Sequence, residues 1–186
     1  GERHLAAGAD LASYTKDTKP TDVAIYQYTG GTTGRSKGAE LTHRNVVGNI
    51  SQNAKRSDVG SFENDTLLLI LPLYHVFALA VGAINSMHHG AHVVLTPAPR
   101  PLSNLKPAFE KFDVTVMPGV NTLYQGLMNE KWFVDNPVKT FRICMSGAAP
   151  LQPATAKKWE ELTGNRILEG YGLTESTCVV SSMPMN

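Results

Sequence analysis

The chain has 186 residues, of which 42% are hydrophobic and 18% charged, and a formal net charge of +1. That balance excludes a disordered chain and suits one domain, or a piece of a larger one, able to bury a sizeable core. A charge so near zero gives no molecule-wide field for nucleic acid or an anionic membrane surface, so any anion has to be held locally.

Two cysteines, Cys144 and Cys178, form neither a metal-binding nor a redox spacing, which points to a reducing compartment, the cytoplasm. No apolar run reaches the roughly 18 residues of a membrane span, and no signal-peptide pattern opens the chain. Starting at Gly1 and not Met, the sequence reads as an excised piece.

In chain order, residues 1–21 read as a loose lead-in. Short apolar runs then alternate with helical patterns. Strands are expected over Val23–Tyr28, Thr66–Leu71, His92–Thr96, Asp113–Met117, Phe141–Met145 and Arg166–Leu168. Helices are expected over His43–Lys55, Phe77–His88, Asn104–Phe112, Val120–Asn129 and Leu151–Leu162. Leu67 to Leu71 is apolar without alternation, as in a strand covered on both faces. Gly90 and Gly164 sit where helices should end, Pro153 suits a first helical turn, and Pro97, Pro99 and Pro101 make a stiff connector. The predicted fold class is α/β: strand–helix units forming a mostly parallel sheet with helices on its faces.

The stretch with the most chemistry is Tyr28-Thr29-Gly30-Gly31-Thr32-Thr33-Gly34-Arg35-Ser36-Lys37-Gly38. Its glycines let backbone N–H groups approach a ligand closely. Hydroxyls on Thr29, Thr32, Thr33 and Ser36, with Arg35 and Lys37, supply donors and positive charge suited to a triphosphate. The spacing fits neither a Walker A loop nor a dinucleotide fingerprint. Composition alone also allows an ordinary surface loop.

Four later segments each follow an expected strand, the position where open α/β sheets gather ligands. They are Leu71 to Leu79 with His75, Gly119-Val120-Asn121, Ser146-Gly147-Ala148-Ala149-Pro150, and Gly170-Tyr171-Gly172-Leu173-Thr174-Glu175. Each has a plain structural alternative: a satisfied loop histidine, a helix start, a tight turn and a solvated carboxylate. In the last segment Tyr171 can stack on a base, Thr174 can bond an oxygen, and Glu175 is a hard ligand suited to Mg²⁺.

Together, and in this order, these segments resemble the AMP-forming acyl-CoA synthetase and adenylating-enzyme superfamily, most of all its bacterial long-chain fatty acid–CoA ligase branch. Ser36 departs mildly from the proline common there. The resemblance runs from about Asp22 to Ser176 and implies that residues 22–186 are part of the large N-terminal AMP-binding domain, without the small C-terminal domain. It implies a fatty acid, ATP and CoA as small-molecule partners, Mg²⁺ as cofactor and no nucleic acid. For the full-length enzyme it leaves open peripheral membrane association and a homodimer.

The resemblance further implies that Thr29, Gly30, Gly31, Thr32, Thr33, Gly34, Ser36 and Lys37 hold phosphates. Gly147, Ala148, Ala149, Tyr171 and Gly172 would hold adenine, and Thr174 would contact a phosphate. Glu175 would bind the metal, with Lys37, Thr174 and Glu175 as the catalytic set. His75, Gly119, Val120 and Asn121 would line the acyl site. The reaction so implied is ATP-dependent acyl-adenylate formation followed by acyl-CoA formation. Alternatives are an AMP-forming ligase or adenylation domain for another carboxylic acid, or a nucleotide-binding fragment without catalysis.

Overall fold

The computed structural model describes residues 17–29, 37–55 and 62–185. Its centre is a six-stranded sheet built from β3 (Thr66–Leu69), β4 (His92–Leu95), β5 (Val116–Gly119), β6 (Ile143–Ser146), β7 (Ile167–Leu173) and β8 (Cys178–Ser182). The spatial order is β4-β3-β5-β6-β7-β8; all neighbours are parallel except β8, which runs antiparallel to β7. Because β4 lies outside β3 and the next strand pairs on the other side of β3, the chain reverses direction across the sheet there. Crevices at strand C-termini open at such reversals.

Apart from this sheet, β1 (Val23–Thr29) and β2 (Lys37–Thr42) form an antiparallel hairpin. It leads into helix α1 (His43–Ala54), whose N-cap Thr42 accepts from the Asn45 backbone N–H while Asn45 Oδ1 accepts from the Thr42 N–H. This reciprocal cap satisfies donors that a helix start otherwise leaves unpaired.

The buried side chains divide as strand alternation dictates. Leu68 faces a large aromatic cluster with Leu105, Met117, Tyr124, Phe133 and Trp159. Leu67 and Leu69 face the other way, onto Phe62, Ala78, Val116 and Leu168. Within the first cluster the Phe133 and Trp159 rings stack at 5.4 Å, and Tyr124 meets Trp159 edge-on at 4.8 Å. Both cysteines are buried; desolvation pushes the Cys144 thiol far up and that of Cys178 up to about 12, which makes each a packing group, not a nucleophile.

Several boundaries differ from the expected ones. The strand expected from Asp113 begins at Val116 and runs on to Gly119. Ahead of it the Thr115 hydroxyl accepts from Thr66 N and donates to Asp65, a side-chain anchor that strand propensity does not register. The strand expected over Arg166–Leu168 is β7, extended to Leu173 because β8 pairs with it. Neither β2, β8 nor helix α5, identified below, was among the expected elements. The expected Phe77–His88 helix is π-helical over Phe77–Ile84 and becomes α2 (Asn85–His89), ended by left-handed Gly90. Gly82 there lets the helix approach β3: a Cβ would stand 2.5 Å from Leu69 Cδ1.

The remaining helices are α3 (Lys106–Lys111), α4 (Asn121–Leu127), α5 (Lys131–Asp135) and α6 (Pro153–Thr163). Pro153 opens α6 and left-handed Gly164 closes it, as expected. Among the described residues no helix is long and apolar enough to cross a membrane.

Candidate functional site

Beside the C-terminal ends of β6 and β7 and the His75–Phe77 segment that follows β3, the structure opens into a cavity of about 330 Å³. Its polar rim includes Thr29, His75, Gly147, Tyr171, Thr174 and Glu175. Its apolar wall is made by Ile50, Phe62, Phe77, Val81, Leu168 and Val179. The pieces come from separate stretches of chain, and each has a local reason to be where it is.

The hairpin brings Thr29 opposite Lys37, and the Thr29 hydroxyl donates to the Lys37 carbonyl at 3.3 Å. Gln27, buried on the same hairpin, donates from Nε2 to the Tyr74 carbonyl at 2.5 Å and so ties the His75 loop to β1. His75 itself is exposed, and its Nδ1 accepts the Phe77 N–H at 3.2 Å. In a neutral ring this leaves the proton on Nε2.

The turn after β6 is tight. Gly147 is buried, and a Cβ there would come within 3.4 Å of both the Gly170 carbonyl and the Phe77 ring. Ala148 follows in the left-handed region at φ 65°, a conformation uncommon for a residue with a side chain. The Glu169 carboxylate accepts the Leu151 N–H at 3.0 Å and fastens the far side of the turn to β7.

Beyond β7, Thr174–Ser176 form a single 3₁₀ turn. The Ser176 hydroxyl accepts from Leu173 N at 3.1 Å and lies 2.9 Å from the Leu173 carbonyl, closing the turn on itself. Both strands of the β1–β2 hairpin pack beside this turn. Thr29, at the end of the hairpin, lines the same cavity as Thr174 and Glu175 of the turn.

A second cleft of about 680 Å³ adjoins the first along β7. Ala148, Ala149 and Pro150 form one side of it and Glu169, Tyr171 and Gly172 the other. Tyr171 is 59% exposed, so its ring presents a free face at the boundary between the two spaces.

Of the residues assigned by resemblance, Thr29, His75, Gly147, Ala148, Tyr171, Gly172, Thr174 and Glu175 line the first cavity, and Ala149 lines the second. Lys37 is exposed at the hairpin end and lines neither. Gly30, Gly31, Thr32, Thr33, Gly34 and Ser36 lie outside the described residues. Gly119, Val120 and Asn121 line neither space. A Cβ on Gly119 would meet the Tyr124 ring at 2.9 Å, and Val120 packs against the aromatic core. Asn121 Oδ1 accepts the Gln152 N–H at 3.0 Å, at the start of α6.

The sequence reading missed Gln27, Asn49 and Glu169, which bind backbone around the cavity. Asn49 had a legible signal: a polar residue at core-facing helical spacing between Val46 and Ile50. Among the described residues no cluster of three or more His, Cys, Asp or Glu side chains could hold a metal by itself. Glu175, a hard and exposed oxygen donor at the cavity edge, fits Mg²⁺ in the way that ion is usually bound, by one or two carboxylates with substrate phosphates.

Comparison with known proteins follows the same outline. A long-chain-fatty-acid–CoA ligase of Yersinia pestis is 39% identical over 181 residues, covering 97% of this chain and 32% of that protein. A ligase of the same name from Escherichia coli O6:H1 is 40% identical over 166 residues, covering 89% of this chain and 30% of its own. The chain thus spans about a third of the length of the curated relatives it matches. Among solved structures, ATP-bound MatB from Rhodopseudomonas palustris superposes with a TM-score of 0.77 at 32% identity, covering 91% of this chain and 33% of that one. With the AMP-binding enzyme family model matching residues 2–186, the chain belongs to the AMP-binding enzyme family.

Proposed function

We propose that residues 22–186 are part of the AMP-binding domain of an enzyme that activates a long-chain fatty acid with ATP and passes the acyl group to CoA. The observation that carries this reading is that Thr29, at the hairpin end, and the Thr174–Glu175 turn line one apolar-walled cavity. A nucleotide triphosphate needs the first two, and a hydrocarbon chain needs the third.

In this reading a fatty carboxylate oxygen bonds to the α-phosphorus of ATP as the bond to the β-phosphate oxygen breaks, and pyrophosphate leaves. The CoA sulfur, having lost its proton, then bonds to the acyl carbon and AMP departs with the C–O electron pair. Lys37 and the hydroxyls of Thr29, Thr32, Thr33 and Ser36 hold the β- and γ-phosphates, with Thr174 bonding the phosphate nearer the acid. Tyr171 stacks on adenine across from Gly147, Ala148 and Ala149, where small side chains leave room for a flat base. Glu175 would hold Mg²⁺, which when bound neutralises triphosphate charge. His75 of the polar rim and Phe77 of the apolar wall are two residues apart and joined by a hydrogen bond, and there carboxylate would give way to chain.

The names of the curated relatives favour a long-chain acid, and the apolar character of the wall formed by Phe77, Val81, Ile50 and Phe62 suits a hydrocarbon chain. The test is pyrophosphate release by the full-length protein with oleate, octanoate, 4-coumarate and malonate. Oleate should give the largest kcat/KM. Preference for an aromatic or dicarboxylic acid would overturn the substrate assignment, and no ATP-dependent release with any acid would overturn the reaction.

A further inference from the structure

Asn49 lies in the buried stripe of α1 with Val46 and Ile50, and only 8% of it is exposed. Its carboxamide is fully engaged by neighbouring groups. Nδ2 donates to the Val179 carbonyl at 2.8 Å and to the Ser176 carbonyl at 3.5 Å. Oδ1 accepts from Val179 N at 3.4 Å and from Asn53 Nδ2 at 3.3 Å. The side chain thus exchanges both hydrogen bonds with Val179, as a neighbouring strand would. Although Asn49 borders the cavity, it has nothing left to offer a ligand.

What it grips is unusual backbone. Between Ser176 and Val179 stand Thr177 at φ 63° and Cys178 at φ 110°. Two successive left-handed residues that carry side chains persist only where the surroundings over-determine them. On the other flank, Gly172 lies so close to the bend that a Cβ would sit 1.6 Å from the Cys178 carbonyl oxygen. The Thr174–Glu175 turn is thus pinned from β7 on one side and from α1 on the other.

We propose that Asn49 is a positioning residue: it fixes the Thr174–Glu175 turn against the helix that follows the β1–β2 hairpin, and so sets where those two side chains meet magnesium-bound nucleotide. The proposal rests on the functional reading of Thr174 and Glu175 given above. It ties the phosphate-binding hairpin and the metal-binding turn into one unit, since α1 continues directly from β2.

The test uses the full-length enzyme as wild type, Asn49→Ala, Glu175→Gln and the double variant. Mg·ATP affinity is read by calorimetry, turnover by pyrophosphate release, and exchange of the Val179 amide by mass spectrometry. Asn49→Ala should weaken Mg·ATP binding and kcat/KM for ATP by about 10–100-fold, the usual cost of removing a group that orients a metal ligand. It should speed Val179 exchange and add little to Glu175→Gln. If Asn49→Ala does not fold, Asn49→Asp keeps the size and the acceptor while losing the donors, and the same comparison is read on it. A lower melting temperature with Mg·ATP affinity unchanged, or a loss that adds fully to that of Glu175→Gln, would overturn the proposal alone. Wild-type affinity and turnover in Glu175→Gln would overturn the reading of Glu175 first, and this proposal with it.

Discussion

Gly172 and Gly48 show how differently one residue type behaves at two addresses. Gly172 stands at an irregularity in the β7–β8 register, where any Cβ would overlap the Cys178 carbonyl. Gly48 lies inside α1, and a Cβ added there would meet nothing within 4 Å. Gly172→Ala should therefore cost about 3 kcal/mol or more, because backbone must move. Gly48→Ala should gain roughly 0.5–1 kcal/mol from helix propensity. Urea midpoints of the two variants check both signs, and a Gly172→Ala variant as stable as wild type would discount the close β7–β8 approach. Tyr171, Thr174, Glu175 and His75, singled out in the sequence by residue type, all reach the cavity rim. Residue type could not separate those from Gly119 and Asn121, whose contacts with Tyr124 and Gln152 depend on which helix lies opposite. Nor could it show that Asn49 would serve backbone 127 and 130 residues further along the chain.

Elements are held in register by a polar clamp at the N-terminal ends of β3, β5 and β6, next to Phe62 of the cavity wall. Asp65, 5% exposed just ahead of β3, accepts from the Thr115 hydroxyl at 2.6 Å ahead of β5 and from Arg142 Nε at 3.1 Å and Nη2 ahead of β6. Burial by itself raises the Asp65 carboxyl; the hydrogen bonds from Arg142 and Thr115, with the guanidinium charge, outweigh it and hold the group below its ordinary value of 3.8. The folded state thus takes up this proton less readily than the unfolded chain. The clamp's contribution is complete above about pH 4 and is lost as pH falls through the depressed folded value. Asp65→Asn should lower stability by about 2–3 kcal/mol near neutral pH. The gap to wild type should narrow as pH drops toward about 3. A pH-independent gap in urea midpoints would contradict the clamp. Periodicity revealed the apolar strands β3 to β6 but neither this clamp nor β2 and β8. Half of the β2 segment Lys37–Thr42 is exposed, and β8 has exposed Val180 and Ser181 near its centre, so neither carries the apolar run that marks a buried strand.

Across the whole molecule the alternation of strand and helix was enough to read a mostly parallel α/β sheet, because that pattern depends on local periods more than on distant contacts. What lies over the site depends on contacts that local periods do not encode. Tyr74 is 81% exposed and Tyr171 59% exposed, both beside the cavity region, and the curated relatives are about three times as long as this chain. On the proposed function, the 186 residues expressed alone should make no acyl-CoA at a rate near that of the full-length protein, although they hold the Thr29–Lys37 hairpin end and the Thr174–Glu175 turn. The adenylation step needs donors and positive charge placed at the α-phosphate as well as at the β- and γ-phosphates, and each preorganised donor removed costs about 10²–10³ in rate. An uncovered site also admits water to an activated acyl phosphate. Incubation of the purified chain with ATP, Mg²⁺, oleate and CoA, followed by chromatography of the thioester, is the check. Weak nucleotide binding without thioester is the expected result. Turnover within a few-fold of the full-length enzyme would show that these residues suffice, and that the exposed aromatic rim needs no cover.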